Sequence, residues 1–477
     1  MTIHQNLIAG EWTGSSAVEN INPSDTNEVV GLYAEASAED TKAAIAAAKA
    51  AFPAWSRSGI WERHVILKKA GDEIMARKDE IGALLAREEG KILPEAIGET
   101  IRAAQIFEFF AGEALRLAGE VIPSVRPNIG VEITREPLGV IGIITPWNFP
   151  IAIPAWKIAP ALCYGNTVVF KPAELVPGCS WAIVDILHRA GLPKGVLNLV
   201  MGKGSIVGQT MLDSPDLSGI TFTGSTGTGK RVAAASLEHN RKFQLEMGGK
   251  NPMVVLDDAD LNVAVEAAAN SGFFSTGQRC TASSRLIVTE GIHDKFVAAL
   301  TEKLQTLVVD NALKPTTNIG PVVDARQLKT DTDYIEIGKQ EGAKLAFGGE
   351  IIKRETPGFF LQPTLFTEAT NQMRISREEI FGPVASVIRV KDYDEALATA
   401  NDTPFGLSAG IATTSLKHAT HFKRNAEAGM VMVNLPTAGV DFHVPFGGRK
   451  GSSYGPREQG KYAAEFYTTV KTAYTLA

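Results

Sequence analysis

The chain has 477 residues, of which 44% are hydrophobic and 21% charged, and its net charge is -6. This composition excludes disordered and collagen-like proteins, which have too few apolar residues to fill large cores, and a length of this size predicts about three domains. The acidic balance argues against nucleic acid as a partner, and the lack of a signal segment or of any apolar run of about 18 residues predicts a cytoplasmic protein without membrane association.

The N-terminal part of the chain is predicted to be mainly helical. From Ala38 to Leu117, apolar residues recur every three or four positions among Ala, Glu, Lys and Arg, a pattern typical of amphipathic helices. Two short β-branched runs follow, at 131–134 and 140–144, on either side of the sequence REPLG. They predict a hairpin or a pair of strands.

Beyond Pro146, strands alternate with helices, which predicts a parallel sheet covered by helices and an α/β fold class. A second alternating series from Val263 to about Val433 predicts another α/β domain. The C-terminal residues 467–476 have high β propensity but no neighbouring strand in the sequence, so they are expected to pair with a distant strand or with another subunit. The predicted strands of the first series are 167–171, 196–200, 219–224, 243–249 and 252–257.

A glycine-rich loop, GSTGTGKR, follows the predicted strand at 219–224 and precedes a helix expected from Gly229. The P-loop pattern fails there because Arg231 stands where a Ser or Thr hydroxyl must hold magnesium. The dinucleotide pattern GxGxxG fails at 202–208, because one extra residue separates its second and third glycines. The loop is therefore either a plain turn or a phosphate cradle, since the amides of a helix N-terminus attract phosphate.

The three cysteines are too few and too scattered for a disulfide network or a zinc site, and no metal site is predicted. Cys163 and Cys179 have the character of small buried residues. Cys280 differs, because it follows small and flexible residues in FFSTGQRC and lies next to Arg279, whose charge is expected to favour the thiolate.

Two polar residues end predicted strands, and side chains in this position reach the carboxyl edge of a sheet. Glu246 closes the run FQLE before two glycines, and a carboxylate there is costly to bury unless it is paired or takes part in chemistry. Asn148 follows GVIGIITPW and supplies an amide donor, although a simple turn residue is an equal alternative.

Seven ordered motifs extend over almost the whole chain, and together they closely resemble the aldehyde dehydrogenase superfamily. The motifs are PWNFP (146–150), KPAE (171–174), FTGSTGTG (222–229), EMGGKNP (246–252), GQRC (277–280), EEIFGP (378–383) and PFGGRKGSSYG (445–455). The resemblance implies two doubly wound α/β domains and a small β-rich arm that joins subunits into a homodimer or homotetramer. In this sequence the cofactor-binding domain would comprise 1–118 and 139–248, the catalytic domain 249–447, and the arm 119–138 and 460–477.

The resemblance also implies a mechanism. The Cys280 thiolate adds to an aldehyde carbonyl, and the Asn148 amide with the Cys280 backbone N–H holds the resulting oxyanion. Hydride transfer to the cofactor leaves a thioester, which is hydrolysed by a water that Glu246 deprotonates. Family members that transfer the acyl group to coenzyme A generally lack this base, so Glu246 favours release of the free acid.

The cofactor implied by the resemblance is NAD, with NADP possible. Glu174 accepts hydrogen bonds from the adenosine ribose and repels a 2'-phosphate, while Lys171 weakens that repulsion. From the sequence alone, Glu379 would be interpreted as a solvated charge beside Glu378, whereas the resemblance assigns it to the nicotinamide ribose. The complete set of cofactor residues implied is Trp147, Lys171, Glu174, Gly204, Gly224, Ser225, Gly229, Met247, Glu379 and Phe381.

The expected substrate is a small aldehyde. The segments around Cys280 and Glu246 look most like those of bacterial α-ketoglutaric semialdehyde dehydrogenases, which oxidise 2,5-dioxopentanoate. Succinate semialdehyde, betaine aldehyde and aliphatic aldehydes are the alternatives, and a non-catalytic relative or a P-loop NTPase is a remote one. A carboxylated substrate would need a cation in the channel through which it reaches Cys280. Arg102, Arg116 and Arg279 are candidates for this cation.

Overall fold

The computed structural model describes residues 1–476, which form two large β-sheets covered by helices and two small sheets. The helices are α1 Ala38–Trp55, α2 Ile60–Ala76, α3 Lys78–Glu89, α4 Leu93–Glu113, α5 Ala152–Cys163, α6 Pro177–Arg189, α7 Gln209–Asp213, α8 Thr226–Glu238, α9 Leu261–Phe273, α10 Glu290–Gln305, α11 Ala325–Gln340, α12 Arg374–Arg377, α13 Tyr393–Asn401, α14 Leu416–Asn425 and α15 Ala464–Tyr467. Helices α1 to α4 confirm the helical region predicted near the N-terminus. None of the helices within 1–476 has the length and apolar character needed to span a bilayer.

The strands confirm the predicted alternation with helices beyond Pro146. They are β1 Ile3–His4, β2 Asn6–Ile8, β3 Glu11–Thr13, β4 Ala17–Asn22, β5 Asp25–Ala34, β6 Glu120–Pro123, β7 Ile129–Pro137, β8 Val140–Ile144, β9 Thr167–Lys171, β10 Leu197–Leu199, β11 Gly219–Thr223, β12 Lys242–Glu246, β13 Asn251–Val255, β14 Ser283–Thr289, β15 Lys344–Phe347, β16 Thr364–Thr367, β17 Val384–Val390, β18 Ser408–Ala412, β19 Met430–Val433, β20 Ser453–Tyr454 and β21 Thr468–Leu476.

The first large sheet has the strand order β20-β12-β11-β8-β9-β10-β2-β3, and its neighbours from β12 to β10 are parallel. The second large sheet has the order β15-β16-β17-β14-β13-β18-β19, parallel from β16 to β19. Strands in the middle of both sheets are buried on both faces, which is why they are almost continuously apolar.

Each large sheet separates two hydrophobic cores, because successive side chains of a strand point to opposite faces. In the second sheet, Met253 and Val255 of β13 pack in one core, whereas Val254 packs in the other. In the first sheet, Ile141 of β8 faces one core and Val140 the other. The two sheets therefore act as rigid platforms, and the segments that leave their edges carry the site.

One predicted strand pair is wrong. The runs at 131–134 and 140–144 do not pair with each other, because β7 lies in a small sheet of order β21-β7-β6 whereas β8 lies inside the first large sheet. The chain passes from one sheet to the other at Gly139, which has a φ of 139°. The apolar strand β8 is better buried between β9 and β11 than it would be in an exposed hairpin.

The C-terminal strand finds a distant partner, as expected. Strand β21 pairs antiparallel with β7 along its whole length, from Thr468 opposite Pro137 to Leu476 opposite Ile129. The range expected for the arm, 119–138, contains a hairpin formed by β6 and β7. These three strands are called the arm below.

Candidate active site

Cys280 lies in a turn between α9 and β14, after a stretch of strained backbone. Ser275 and Thr276 have positive φ angles of 50° and 57°, and Gly277 follows with 67°. Left-handed conformations of this kind are costly for residues with a side chain and persist only where the surroundings enforce them. The Thr276 hydroxyl donates to the Gly320 carbonyl at 3.1 Å, which helps to enforce the bend. The bend places Cys280 where two cavities meet, since it lines both.

The charge environment of Cys280 differs from the sequence-based expectation. Arg279 does not favour the thiolate: its guanidinium pairs with Glu95 at 2.8 Å and contacts the Asn270 side chain at 3.2 Å. Burial, followed by the negative charges of Glu246 and Glu379, raises the pKa of Cys280 to about 12. The prediction was wrong because adjacency in sequence does not fix the direction of a side chain, and a thiol in this setting needs a base.

Asn148 reaches the cysteine loop from the first large sheet. It follows β8, is buried, and its side-chain amide donates to the Gln278 carbonyl at 2.9 Å. The Lys91 ammonium donates to the Asn148 carbonyl at 2.8 Å and holds the backbone from the other side. An amide nitrogen carries two hydrogens, so Asn148 retains one donor after binding Gln278. Asn148 therefore offers a hydrogen-bond donor to a ligand, in addition to its place in the turn.

Glu246 is the last residue of β12 and is enclosed by the C-terminal segment. The Ser453 hydroxyl donates to its carboxylate at 2.5 Å, in the antiparallel pair formed by β12 and β20. Burial, together with the nearby negative charge of Glu458, raises the pKa of Glu246 well above its ordinary value. A carboxyl group with a raised pKa at a sheet edge is suited to exchange protons near neutral pH.

One of the two cavities at Cys280, called the substrate cavity below, has a volume of about 390 Å³. Its wall combines apolar and charged side chains, among which are Phe149, Trp156, Val440, Phe446, Lys91, Glu95, Glu99, Arg102 and Arg279. Of the three arginines considered as cations for the channel, Arg102 and Arg279 line this cavity. Arg116 does not, because its exposed side chain pairs with Glu113 at 2.8 Å.

The second cavity, called the cofactor cavity below, has a volume of about 300 Å³ and lies between the two large sheets. Its wall includes Trp147, Gly224, Ser225, Met247, Glu379 and Phe381, all of which are among the residues singled out in the sequence. Helix α8 begins here at Thr226, three residues earlier than expected, with Ser225 as its N-cap. Gly229 lies one turn further on, where a Cβ would be 2.4 Å from the Met247 sulfur. A larger residue would force the Met247 side chain to move, so glycine favours this close packing of α8 on the segment after β12.

Glu379 is not the solvated charge that the sequence alone suggests. The Gly249 N–H donates to its carboxylate at 2.8 Å, and burial raises the pKa of Glu379 to about 7. Its neighbour Glu378 is the exposed one and pairs with Arg374 at 2.9 Å. Phe381 has a φ of 65°, and its ring meets that of Trp147 edge to face. Adjacent residues can thus point to different partners, which depends on the turn rather than on composition.

Lys171, Glu174 and Gly204 come together at the carboxyl ends of β9 and β10. The Gly204 N–H donates to the Glu174 carboxylate at 2.5 Å, and the Lys171 ammonium lies 3.9 Å from the same oxygen. Burial lowers the pKa of Lys171, whereas the Glu174 side chain is about half exposed, at 49%. Glu174 also lines a further cavity of about 200 Å³. An accessible carboxylate at this edge can accept hydrogen bonds from a ligand.

Comparisons with known proteins establish the family of the chain. The model of the aldehyde dehydrogenase family matches residues 12–473. The chain belongs to this family. It is 45% identical to the alpha-ketoglutaric semialdehyde dehydrogenase of Bacillus subtilis (strain 168), over 98% of this chain and 97% of that protein. It is 43% identical to the 2,5-dioxopentanoate dehydrogenase of Saccharolobus solfataricus, over 98% of each.

The solved structures give the same result for the fold. A betaine aldehyde dehydrogenase from Staphylococcus aureus, crystallised with NAD+, matches with a TM-score of 0.97 and 34% identity, over 99% of this chain and 95% of that one. The protein is therefore an NAD(P)-dependent aldehyde dehydrogenase with the α/β fold of its family. The remote alternatives, a P-loop NTPase and a non-catalytic relative, lose their support.

Two buried charges of this aldehyde dehydrogenase were not found by sequence reasoning. Lys157 lies on α5, is completely buried, and donates to the Thr221 hydroxyl at 2.8 Å. It also forms an ion pair with Glu458, whose charge acts on Glu246. A lone lysine in the apolar run AIPAWKIAP was a usable signal, because a buried cation needs a partner. Glu458 gave no comparable signal.

Proposed function

We propose that this aldehyde dehydrogenase oxidises 2,5-dioxopentanoate to 2-oxoglutarate with NAD+ as the acceptor. The observation that carries the proposal is the position of Cys280, which lines both the substrate cavity and the cofactor cavity. A nucleophile shared by two cavities can hold a substrate carbon opposite a cofactor. The choice of substrate is supported by the relatives at 43% to 45% identity, whose names specify this aldehyde.

The proposed reaction begins with addition of the Cys280 sulfur to the aldehyde carbon. The thiol has a raised pKa, so its proton must leave to a base, and Glu246 is the carboxylate whose charge acts on it most strongly. The free N–H of Asn148, with the backbone N–H of Cys280, then stabilises the oxyanion. NAD+, when bound, supplies the hydride acceptor that allows the tetrahedral adduct to become a thioester.

Hydrolysis of the thioester is assigned to Glu246. Its carboxylate accepts a proton from water, which attacks the acyl carbon and releases the acid and the Cys280 thiol. Ser453 holds the carboxylate, and the charges of the buried pair formed by Lys157 and Glu458 act on it. The raised pKa of Glu246 allows this group to both take up and lose a proton during one cycle.

The residues around the cofactor cavity suit a dinucleotide. The N-terminus of α8, with Ser225 exposed at its N-cap, presents amides that favour a pyrophosphate. Glu379 and Phe381 line the same cavity as Cys280, and we assign them to the nicotinamide and its ribose. The half-exposed Glu174 carboxylate would accept from ribose hydroxyls and repel a 2'-phosphate, so we propose NAD as the preferred cofactor. Lys171, held close to it, leaves some use of NADP open.

A panel of aldehydes assayed with both cofactors tests this proposal. The highest kcat/KM is expected for 2,5-dioxopentanoate with NAD+. A cavity with cations in its wall favours carboxylated aldehydes over betaine aldehyde and propanal, and the names of the relatives favour this acid over succinate semialdehyde. With NADP+ the value should fall by about 10-fold or more, since a carboxylate at the ribose opposes a phosphate. A preference for betaine aldehyde would contradict the substrate, and a preference for NADP+ would contradict the role of Glu174.

We further propose that the arm joins subunits into a dimer or a dimer of dimers. Val121, Val125, Val470 and Tyr474 are exposed on its strands and connecting turn, and such a set of apolar side chains favours contact with another protein surface. Light scattering should give a multiple of the 51.0 kDa chain mass. Replacing Val470 and Tyr474 with Asp should lower that mass, whereas Leu416→Asp, exposed elsewhere on α14, should not. A mass of one chain for the unaltered protein would refute the proposal.

The domain boundaries given under Sequence analysis remain a proposal, as does a cytoplasmic location. In favour of the boundaries, the first large sheet takes its central strands from 139–248 and the second from 249–447. One strand departs from this division: β20, at Ser453–Tyr454, lies outside both ranges and adds to the edge of the first sheet.

A further inference from the structure

The charged side chains of the substrate cavity are not equivalent. Lys91 pairs with Glu99 at 2.6 Å, and both are almost completely buried. Glu99 also accepts the backbone N–H groups of Ile151 and Ala152, each at 3.1 Å, so this pair holds the start of α5. Its charges are compensated within the protein, and neither group needs a ligand.

The second pair is formed by Arg279 and Glu95. Their contact is 2.8 Å, and the Ser275 hydroxyl donates to the other Glu95 oxygen at 2.8 Å. Arg279 also contacts Asn270. The pair therefore helps to hold the bend before Cys280. The Arg279 guanidinium already has its partners within the protein.

Arg102 is the remaining cation of the cavity wall. It lies on the face of α4 that also carries Glu95, Gly98 and Glu99. Within residues 1–476, its guanidinium makes one long hydrogen bond, from Nη2 to the Gln459 side chain at 3.4 Å, and its buried Nε has no partner. Burial lowers the pKa of Arg102, although the charges of Asp441 and Glu99 oppose this. A partly buried guanidinium with so few acceptors gains hydrogen bonds from a ligand that supplies them.

The surroundings of Arg102 suit an aliphatic chain that ends in an anion. Phe149, Trp156 and Val440 form apolar walls of the same cavity. At Gly98, on the same helix face, an added Cβ would meet no atom within 4 Å, so the space beside Arg102 is open. A short chain can therefore run from Cys280 along apolar walls, with its charged end at the guanidinium.

We propose that Arg102 binds the distal carboxylate of the substrate and thereby selects carboxylated aldehydes over neutral ones. The inference rests on the proposed function, because 2,5-dioxopentanoate carries its carboxylate at the end opposite the aldehyde. The guanidinium fork can donate two parallel hydrogen bonds to a carboxylate, which adds orientation to charge. Arg102 is thus a specificity-determining residue, whereas the groups that react with the aldehyde lie at Cys280.

The test compares 2,5-dioxopentanoate with pentanal, a neutral aldehyde of the same chain length. For Arg102→Met, which keeps most of the side-chain volume, the ratio of kcat/KM values between the two aldehydes should fall by about 10- to 100-fold, mainly through KM. Arg102→Lys keeps the charge but loses the fork, so its ratio should lie between those of Met and the unaltered enzyme. Arg116→Met serves as the matched control, because that arginine is exposed and outside the cavity.

Product binding provides a readout that does not depend on turnover. Competitive inhibition by 2-oxoglutarate should weaken in Arg102→Met by a similar factor and stay unchanged in Arg116→Met. Equal loss with both aldehydes and unchanged inhibition would overturn the proposal, since they would show a purely structural role.

The outcomes also separate this proposal from the proposed function. If the unaltered enzyme prefers succinate semialdehyde and Arg102→Met loses that preference, the anchor is supported and 2,5-dioxopentanoate is rejected. If the enzyme prefers 2,5-dioxopentanoate and Arg102→Met retains the preference, the function stands and the anchor is rejected. If the unaltered enzyme oxidises 2,5-dioxopentanoate, succinate semialdehyde and pentanal equally well, both the role of Arg102 and the proposed substrate are rejected.

Discussion

Replacing Cys280 with Ala should lower aldehyde oxidation by about 10⁴-fold or more, because the covalent route through the sulfur is lost. The side chain is small and only partly buried, so thermal unfolding should change little. The measurement is NADH formation with 2,5-dioxopentanoate, accompanied by mass spectrometry of the quenched enzyme to detect the acyl adduct.

Cys163→Ala is the matched control for this variant. Cys163 is fully enclosed on α5, and burial raises its pKa well above the ordinary value, so it has no role as a nucleophile. This variant should keep its activity and its adduct at Cys280. Substantial oxidation by Cys280→Ala, or an unaltered enzyme that turns over without any adduct at this position, would refute covalent catalysis.

Replacing Glu246 with Gln should separate the two halves of the reaction. A first equivalent of NADH per active site is expected to appear at high pH, because hydroxide from the solvent can then take the proton of the Cys280 thiol in place of Glu246. Steady-state turnover should then fall by about 10²- to 10⁴-fold, since the thioester lacks its general base. Stopped-flow absorbance of NADH measures both phases, and Glu238→Gln, an exposed carboxylate at the end of α8, is the control.

The pH dependence provides an independent check on Glu246. Since its pKa is raised in the folded protein, the carboxyl group is protonated and inactive as a base below that raised value. Where hydrolysis of the thioester is the slow step, the steady-state rate of the unaltered enzyme should therefore increase as the pH rises through the pKa of Glu246. In Glu246→Gln the increase should vanish from the steady-state rate. Rapid turnover by this variant with an unchanged pH profile would place the base elsewhere.

Much of the fold was predictable because its strongest signals are local. Strands such as β9 and β11 are rich in β-branched and aromatic residues, and helices α1 to α4 show clear helical periodicity. The error at 131–144 arose because strand pairing depends on partners distant in sequence. One of the two partners of β7 is β21, which is more than 300 residues away by the register that pairs Thr468 with Pro137.

The candidate site was predictable to the extent that its residues stand in motifs. Asn148, Glu246 and Cys280 were all identified in this way, and the structure brings their segments together around the substrate and cofactor cavities. What could not be predicted is which charged side chains form ion pairs with each other. Arg279 turns towards Glu95, and Arg102 is left with little compensation, because such choices depend on contacts between side chains far apart in sequence.

The hydrogen bond between Ser453 and Glu246 makes the base depend on a part of the chain that is remote from the nucleophile. Ser453 lies 207 positions after Glu246 in the sequence, and Glu458, whose charge also acts on Glu246, belongs to the same segment. A substitution confined to 453–458 can therefore alter the release of the acyl group while the sulfur itself is left unchanged.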